Sequence, residues 1–305
     1  MLFVIQRYGY NRQSPPALTK KSEPGMSQRM QLNTTFSYNQ IFWIRSLPGK
    51  DVGLSNRIFD DVSSAFRSKN REITLFEINS SKDLTDLLDT LIYESHFGLK
   101  PFLHLDMHGD KGKGLHIAKT NEFVAWSLIS KKLRTVNSAT GNNLCIIGAA
   151  CYGLTLLKHL DLRAHTPFYI LLAPEKKVQA GFLEDNLPKF YVELLSSGVI
   201  DEAYEKHLAS RFDYFHSEKV LAIHLANYIK LGCIGKPAAE RRERLLTEML
   251  SEGMEYTKEN LQSARKHLKA GLKPNQELLE RYAAPFLGNR TCTLKIDELL
   301  ELLES

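Results

Sequence analysis

The chain has 305 residues, of which 43% are hydrophobic and 10% aromatic, as expected of a globular protein with a buried core. Its net charge is only +5 and the two signs are interspersed, which argues against a dedicated nucleic-acid surface. No run approaches the roughly 20 apolar residues of a membrane helix, and four scattered cysteines form no disulfide framework. We therefore expect a cytoplasmic protein without membrane insertion.

The first hundred residues predict a leader followed by alternating strands and helices. Residues 1–38 are rich in Ser, Pro, Gln, Lys and Asn, which indicates a flexible segment. Strands are expected at 41–45 and 72–78, and a helix at 54–66 with apolar residues at four-residue steps. Ser81 is expected to cap a second helix, which an apolar stripe of leucines supports.

Two apolar runs in the middle of the chain each end near a reactive side chain and a glycine. Residues 101–107 lead directly into His108 and Gly109, and residues 144–150 lead into Cys151. Short apolar runs bounded by turn signals are typical of buried parallel strands. Chemistry in such sheets collects at the carboxyl ends of the strands, so we expect His108 and Cys151 to face each other.

The remaining elements complete an α/β pattern and then change character. A hairpin and a helix at about 122–136 separate the two runs, and a strand at 167–173 and a helix at 182–196 follow. This alternation predicts an open, mostly parallel sheet with helices on both faces. From residue 211 only helical patterns are evident, so we expect an α/β domain at 39–210 and a helical extension at 211–305.

A cysteine paired with a histidine is typical of nucleophilic catalysis. The thiolate is the attacking species, and an imidazole beside it takes the thiol proton and later protonates the leaving amine. The backbone N–H groups of Gly109 and Cys151 are candidates for the oxyanion hole. The sequence contains no C-x-x-C or H-E-x-x-H spacing, and this chemistry requires neither a metal nor another cofactor.

The two strand ends resemble the caspases and, more closely, the caspase-related CHAT peptidases. Residues 149–153 (AACYG) resemble the caspase Q-A-C-x-G signature, and 104–109 (HLDMHG) resemble the H-x-x-x-H-G strand end of CHAT proteins. Residues 168–174 and 187–203 are similar to the next strand and helix of that family. The resemblance implies a catalytic pair at His108 and Cys151 and a three-layer sandwich with a six-stranded, mostly parallel sheet.

The substrate pocket is less well defined than the catalytic pair. Ala149 stands where caspases have glutamine, and the tryptophan often found in the substrate-facing loop of CHAT domains is absent from 174–179. An acidic lining by Asp106 and Glu175 would select Arg or Lys, whereas Lys176 would favour acidic residues. Side chains pointing away would leave an apolar pocket, so the residue preference stays open.

Structural roles are the alternative for several of these residues. The alternative for Cys151 is a buried structural thiol, and the alternative for His108 is a histidine of the core. For Asp106, plain hydrogen bonding competes with a role at the site, and His104 is interpreted as structural. The G-D-K-G-K-G segment after His108 lacks the P-loop pattern and is interpreted as a mobile rim loop.

The sequence thus favours a cysteine endopeptidase that cleaves a partner protein. The family context implies a bacterial protein in anti-phage defence or programmed cell death, with a gasdermin-like pore former encoded nearby as one possible substrate. Two alternatives remain open: a catalytically silent interaction module on the same fold, and a cysteine amidase acting on small substrates.

Overall fold

A computed structural model describes residues 35–149, 153–174, 176–288 and 290–304 of the chain. Residues 1–34 of the predicted leader, the predicted nucleophile Cys151 and the predicted pocket residue Glu175 lie outside these ranges. Within them, the chain is an α/β protein whose mixed, mostly parallel sheet is flanked by helices, as predicted.

The first two strands each lead into a long amphipathic helix. β1 (Gln40–Ser46) precedes α1 (Gly49–Arg67), and β2 (Ile73–Glu77) precedes α2 (Ser81–Ser95). Apolar residues three and four positions apart share one face of a helix, and here they bury that face against the sheet. The buried apolar side chains are Ile58, Val62 and Phe66 in α1, and Leu84, Leu87, Leu88 and Leu91 in α2.

The prediction that Ser81 caps α2 is wrong, because Ser80 is the cap. The Ser80 hydroxyl accepts the Asp83 N–H at 3.1 Å, and the Asp83 carboxylate accepts the Ser80 N–H at 3.0 Å. This reciprocal capping box requires the serine to stand three residues before the acidic residue. Ser80 satisfies that spacing and Ser81 does not.

The middle of the chain contains the two strands at whose ends the predicted site lies. β3 (Pro101–Asp110) continues into the hairpin of β4 (Gly114–Ile117) and β5 (Glu122–Val124), which the sequence predicted. α3 (Trp126–Ala139) then returns the chain to β6 (Cys145–Gly148).

Four further elements and a short helical turn follow β6. A 3-10 helix spans Gly153–His159 and β7 spans Ile170–Ala173. α4 (Ala180–Ser197) and α5 (Ile200–His207) come next, and then β8 (Asp213–His216).

The sheet has eight strands, so the predicted count of six is wrong. Six strands follow the order β2-β1-β3-β6-β7-β8, and β4 and β5 extend from the end of β3. β1, β2, β3, β6 and β7 are parallel, whereas β8 runs antiparallel to β7. β8 was missed because the chain from residue 211 onward was interpreted as helical, although the helix begins only at Ser217.

Helices cover both faces of the sheet because strand residues alternate between two apolar clusters. On one face, Phe42, Leu103 and Ile146 pack with apolar residues of α2 and α3. On the other face, Ile41, Phe102 and Ile147 pack with those of α1, α4 and α5. Successive strand side chains point to opposite faces, which explains why the same strands contribute to both cores.

The end of the chain is helical. It contains α6 (Ser217–Gly232), α7 (Gly235–Ser251), α8 (Lys258–Gly271), α9 (Gln276–Leu287) and α10 (Ile296–Glu304). α7 and α8 share a small apolar core, which comprises Leu245, Leu246, Ala264, Leu268 and Leu272. The buried Glu218 carboxylate accepts both the Thr293 N–H and the Thr293 hydroxyl, and so ties the start of α6 to the segment before α10.

The described residues group into an α/β unit and a helical unit. The α/β unit comprises described residues of 33–217 together with 284–291, and the helical unit comprises 218–283 with 292–304. Within the α/β unit, the Arg290 guanidinium lies 3.5 Å from the centroid of the Tyr169 ring and donates to the Asn142 carbonyl at 3.2 Å. Phe286, which is fully buried, accepts the Thr166 N–H at its carbonyl. A short segment from late in the sequence therefore belongs to the α/β unit.

Candidate active site

His108 lies near the carboxyl end of β3 and its side chain is 44% exposed. Its Nε2 atom lies 2.9 Å from the Oδ2 atom of Asp51. An ionised carboxylate can only accept hydrogen bonds, so the hydrogen of this contact is on Nε2. His108 is therefore not a core histidine: it stands at the surface, in contact with a carboxylate.

Asp51 comes from the first turn of α1, directly after β1. β1 pairs with β3 up to Ser46 and Met107, so the first turn of α1 starts beside the end of β3. Asp51 was not predicted as a site residue, because 57 positions of sequence separate it from His108. Its position in the helix was the available signal: it is the third residue of a helix that begins after a proline.

Asp106 lies on the same face of β3 as His108, and its carboxylate accepts hydrogen bonds from two other side chains of the chain. The Trp43 indole N–H donates to Oδ2 at 3.1 Å, and the Ser55 hydroxyl donates to the same oxygen. Burial raises the pKa of this carboxyl, against the opposing effect of these two hydrogen bonds and of the Arg45 charge. These contacts favour the hydrogen-bonding interpretation of Asp106, and a role in substrate binding stays a prediction.

A buried arginine continues this polar network away from the site. Arg45 of β1 is 4% exposed and donates from Nη1 to Ser55 at 3.0 Å and to Asn56 at 2.6 Å. Its Nε donates to Glu77 of β2 at 2.9 Å. Ser55 therefore receives a hydrogen bond from Arg45 and donates one to Asp106, which links α1 to three neighbouring strands.

His104, two residues before Asp106, has the environment of a structural histidine. It is fully buried, and its Nδ1 atom lies 2.8 Å from the Tyr191 hydroxyl of α4. Its ring stacks on Trp43 with 3.6 Å between ring centroids. Burial lowers the pKa of His104 to about 3, so the ring is neutral near pH 7. This agrees with its structural interpretation.

The segment that follows His108 forms the turn of the β3–β4 hairpin. The Asp110 carboxylate accepts the N–H groups of Gly112 and Lys113, each at 2.8 Å, and these bonds lower its pKa. Gly114 has a φ of +120°, and a Cβ there would lie 1.9 Å from the Val124 carbonyl oxygen. The glycines of this segment thus serve a tight hairpin.

The hairpin extends β3 on the side of β1. Gly109, a predicted oxyanion donor, pairs in register with Leu115, and His108 pairs with His116. The Ala118 N–H donates to the Ser46 hydroxyl at 3.1 Å, which places the end of β4 beside the end of β1. On its other side, β3 pairs with β6 as far as Leu105 and Gly148.

The predicted nucleophile follows β6, although Cys151 itself lies outside the described residues. Gly148 ends β6, Ala149 is described after it and Gly153 begins the 3-10 helix, so the described chain comes within two residues of Cys151 on each side. A Cβ at Gly153 would lie only 2.9 Å from the Cβ of Ala173 at the end of β7. Because Gly153 has no side chain, the segment after β6 can pack closely against the end of β7.

The positions of the other predicted pocket residues say little about substrate binding. Glu175 lies outside the described residues, and Lys176 is exposed in the segment after β7. Cys145 is fully buried inside β6, and burial raises its pKa well above the ordinary value, as expected of a structural thiol. In the described part of the chain, no group of three or more His, Cys, Asp or Glu side chains is arranged to hold a metal ion.

Comparisons of the chain with protein-family models and with curated proteins gave no match. None of the helices in the described ranges combines the length and the apolar character needed to cross a bilayer.

Proposed function

We propose that the chain is a cysteine endopeptidase in which Cys151 is the nucleophile and His108 the proton carrier. The observation that carries this proposal is the pairing of β3 with β6. Each β3 residue pairs with the β6 residue 43 positions later, as Phe102 does with Cys145 and Leu105 with Gly148. His108 and Cys151 are also 43 positions apart in the sequence.

The surroundings of His108 support a role in proton transfer. A general base must be reachable by substrate, and the 44% exposure of this side chain satisfies that condition. Parallel neighbouring strands end at the same edge of a sheet, which is where ligands bind in α/β proteins. β3 and β6 are such neighbours, and they lie in the interior of the strand order.

The proposed reaction has two stages. His108 takes the thiol proton, and the Cys151 thiolate attacks the scissile carbonyl carbon to form a C–S bond. When the tetrahedral intermediate collapses, the C–N bond breaks and the imidazolium gives its proton to the leaving amine. In the second stage His108 takes a proton from water, the hydroxide attacks the thioester, and the C–S bond breaks to release the acid and the thiol.

The developing oxyanion requires N–H donors, and Gly109 is proposed as one of them. It directly follows His108 in β3, and a residue without a Cβ permits close approach of substrate. The second proposed donor is the Cys151 N–H. A partner protein as substrate, and a gasdermin-like pore former in particular, is proposed from the resemblance to CHAT peptidases. A cytoplasmic location is proposed from the four scattered cysteines, which form no disulfide framework.

The test uses the full chain and a library of peptides derived from a bacterial proteome, with cleavage detected by mass spectrometry. We expect the wild type to cleave a subset of peptides and both Cys151→Ala and His108→Ala to abolish cleavage. His116→Ala is the matched control, since His116 pairs with His108 across the hairpin and should be dispensable. Thermal unfolding of each variant checks that the fold is retained.

Three outcomes would contradict the proposal. Cleavage retained in Cys151→Ala or His108→Ala would remove the assigned catalytic pair. Hydrolysis of small amides with no peptide cleaved would indicate an amidase. An absence of any hydrolysis, with iodoacetamide labelling of Cys151 no faster than that of a cysteine in an unfolded peptide, would indicate a silent interaction module.

A further inference from the structure

We infer that Asp51 is the positioning residue for His108 and converts the predicted catalytic pair into a carboxylate–imidazole–thiol triad. This inference rests on the proposed function, since it assigns a partner within the same site. The observation that carries it is the 2.9 Å contact between Nε2 of His108 and Oδ2 of Asp51. The contact joins α1 to β3 at the carboxyl edge of the sheet.

The start of α1 explains why the Asp51 carboxylate is free to make this contact. An acidic residue at the third helical position commonly turns back to accept the N–H of the N-cap residue. The N-cap of α1 is Pro48, and proline has no backbone N–H to offer. The carboxylate of Asp51 therefore lacks its usual local donor and instead accepts from His108.

The start of α1 is also a favourable place for the negative charge of the Asp51 carboxylate. The first turn of an α-helix carries partial positive charge from backbone N–H groups that have no partner within the helix. Asp51 lies in that turn and its side chain is 35% exposed, so solvent also stabilises the carboxylate. An anionic acceptor at this position holds the hydrogen of His108 on Nε2.

This hydrogen position decides which nitrogen does the chemistry. In a neutral imidazole with its hydrogen on Nε2, the other nitrogen has a free lone pair and is the base. Nδ1 of His108 would therefore take the Cys151 proton and later give it to the leaving amine. The Asp51 carboxylate also stabilises the imidazolium that exists between these two proton transfers, as carboxylates behind catalytic histidines do.

The exposure of the pair indicates that its main contribution is orientation. Ion pairs with both partners substantially exposed contribute little to folding stability, because solvent and salt screen them. His108 and Asp51 are both in that range. The other titratable groups around His108 are Asp106 on its own strand and His116 on β4. Both have other hydrogen-bond partners: Trp43 and Ser55 donate to Asp106, and His116 contacts Asn121. Removal of Asp51 should thus affect turnover and leave the fold intact.

The test compares Asp51→Asn, Asp51→Glu and Asp83→Asn on a peptide whose cleavage depends on Cys151. Asp83 is the matched control, since it occupies the same third position in α2 and caps its own helix. We expect Asp51→Asn to lower kcat about 100-fold with little change in KM, a loss typical of carboxylates that orient functional histidines. Asp51→Glu should recover part of kcat, and Asp83→Asn should retain the wild-type value.

Two further measurements distinguish positioning from a structural role. The acid limb of the pH dependence of kcat/KM should move to lower pH in Asp51→Asn, because His108 must be neutral to act as the base and its imidazolium loses an anionic neighbour. ¹⁵N chemical shifts of His108 should show the hydrogen on Nε2 in the wild type and a mixture of tautomers in the variant.

Failure of this inference is separable from failure of the proposed function. If Cys151→Ala and His108→Ala are inactive while Asp51→Asn keeps the wild-type kcat and pH profile, only the role of Asp51 is overturned. If the two catalytic variants remain active, the proposed function itself is overturned. The ¹⁵N measurement requires no activity: a wild-type His108 with its hydrogen on Nδ1 would contradict the inference by itself.

Discussion

The first turns of α1 and α2 are two solutions to the same local problem. Both helices follow a strand of the same sheet, and both carry an aspartate at the third position. In α2, Asp83 turns back and accepts the N–H of Ser80, so the acid is used to cap its own helix. In α1 the residue at the cap is Pro48, and Asp51 accepts instead from His108 of β3.

This difference shows that one residue decides whether an acidic side chain serves its helix or a site. The proline removes a local donor, and the carboxylate then finds a partner across 57 positions of sequence. The body of α1 is held by long-range hydrogen bonds from Arg45 to Ser55 and Asn56, the seventh and eighth residues of the helix. The start of α1 has no side-chain cap, whereas the start of α2 is closed by a capping box from its own sequence.

The largest expected effect is the loss of the tertiary contacts that hold α1. Arg45→Met should lower the free energy of unfolding by about 3 kcal/mol, because the buried Ser55 hydroxyl loses its charged donor and the network that joins it to Asn56 is broken. Urea unfolding measures this difference. Arg57→Met is the control: Arg57 pairs with Glu184 at the surface of α1, and its loss should cost far less than the loss of Arg45, because solvent screens this exposed pair. Equal losses in the two variants would contradict the assigned importance of the buried network.

The second prediction transfers the α2 cap to α1. Pro48→Ser provides a backbone N–H and a hydroxyl at the cap, and the acid three residues later should then turn back to complete a capping box. We expect kcat to fall about tenfold, which corresponds to about 1.4 kcal/mol, although neither of the proposed catalytic residues is changed. Steady-state cleavage of the Cys151-dependent peptide measures it.

Pro48→Ala gives the graded comparison for this transfer, since it restores the N–H without the hydroxyl. Its kcat should lie between those of Pro48→Ser and the wild type. A folded Pro48→Ser variant with the wild-type kcat would show that the proline does not direct Asp51 toward His108.

The third prediction removes the cap from α2. Ser80→Ala should destabilise the protein by about 1 kcal/mol, the usual cost of losing a serine N-cap, and should leave kcat unchanged. Thermal or urea unfolding detects the loss. Ser81→Ala, the adjacent serine in the first helical turn, should cost under about 0.5 kcal/mol. The reverse ranking would restore Ser81 as the cap.

The smallest expected effects concern how two aspartates, Asp83 and Asp106, make the stability of the fold depend on pH, with opposite signs. The Ser80 hydroxyl bond and the backbone N–H groups of Asn79 and Ser80 lower the pKa of Asp83. Its contribution to stability is therefore present above its ordinary pKa of 3.8 and lost as pH falls through the lowered value. Burial raises the pKa of Asp106 from the same ordinary value. Its contribution is present below 3.8 and lost as pH rises through the raised value.

Urea unfolding at a series of pH values separates these two signs. Relative to the wild type, Asp83→Asn should lose stability above pH 3.8 and match it in stronger acid. Asp106→Asn should remove a loss of stability that the wild type shows as pH rises above 3.8. The same sign of difference in both variants would contradict the burial of Asp106.

The strands and helices that could be predicted were those whose signals are local. The apolar runs before His108 and Cys151 predicted β3 and an adjacent buried strand, because a parallel strand covered on both faces must be apolar throughout. The apolar stripes of α1 and α2 were likewise sufficient to predict both helices.

The features that escaped prediction depend on partners far along the chain. β8 is short, and its pairing with β7 decides its structure more than its own residues do. The contact between Asp51 and His108, and the binding of Asp106 by Trp43 and Ser55, exist only after β1 and β3 have paired. No local pattern specifies such contacts. A proline at the N-cap with an acid three residues later, as at Pro48, does indicate that the acid lacks its usual local donor.

The segment 284–291 has a consequence for how the protein is made. Domains generally fold as units while the chain is synthesised from its N-terminus. The cover that Arg290 places over Tyr169 and the hydrogen bond from Thr166 to Phe286 belong to the α/β unit but are encoded after most of the helical unit. A nascent chain therefore emerges from the ribosome with all its strands present but without these contacts until residue 291 has left the exit tunnel, and synthesis that stops earlier leaves an α/β unit that lacks them.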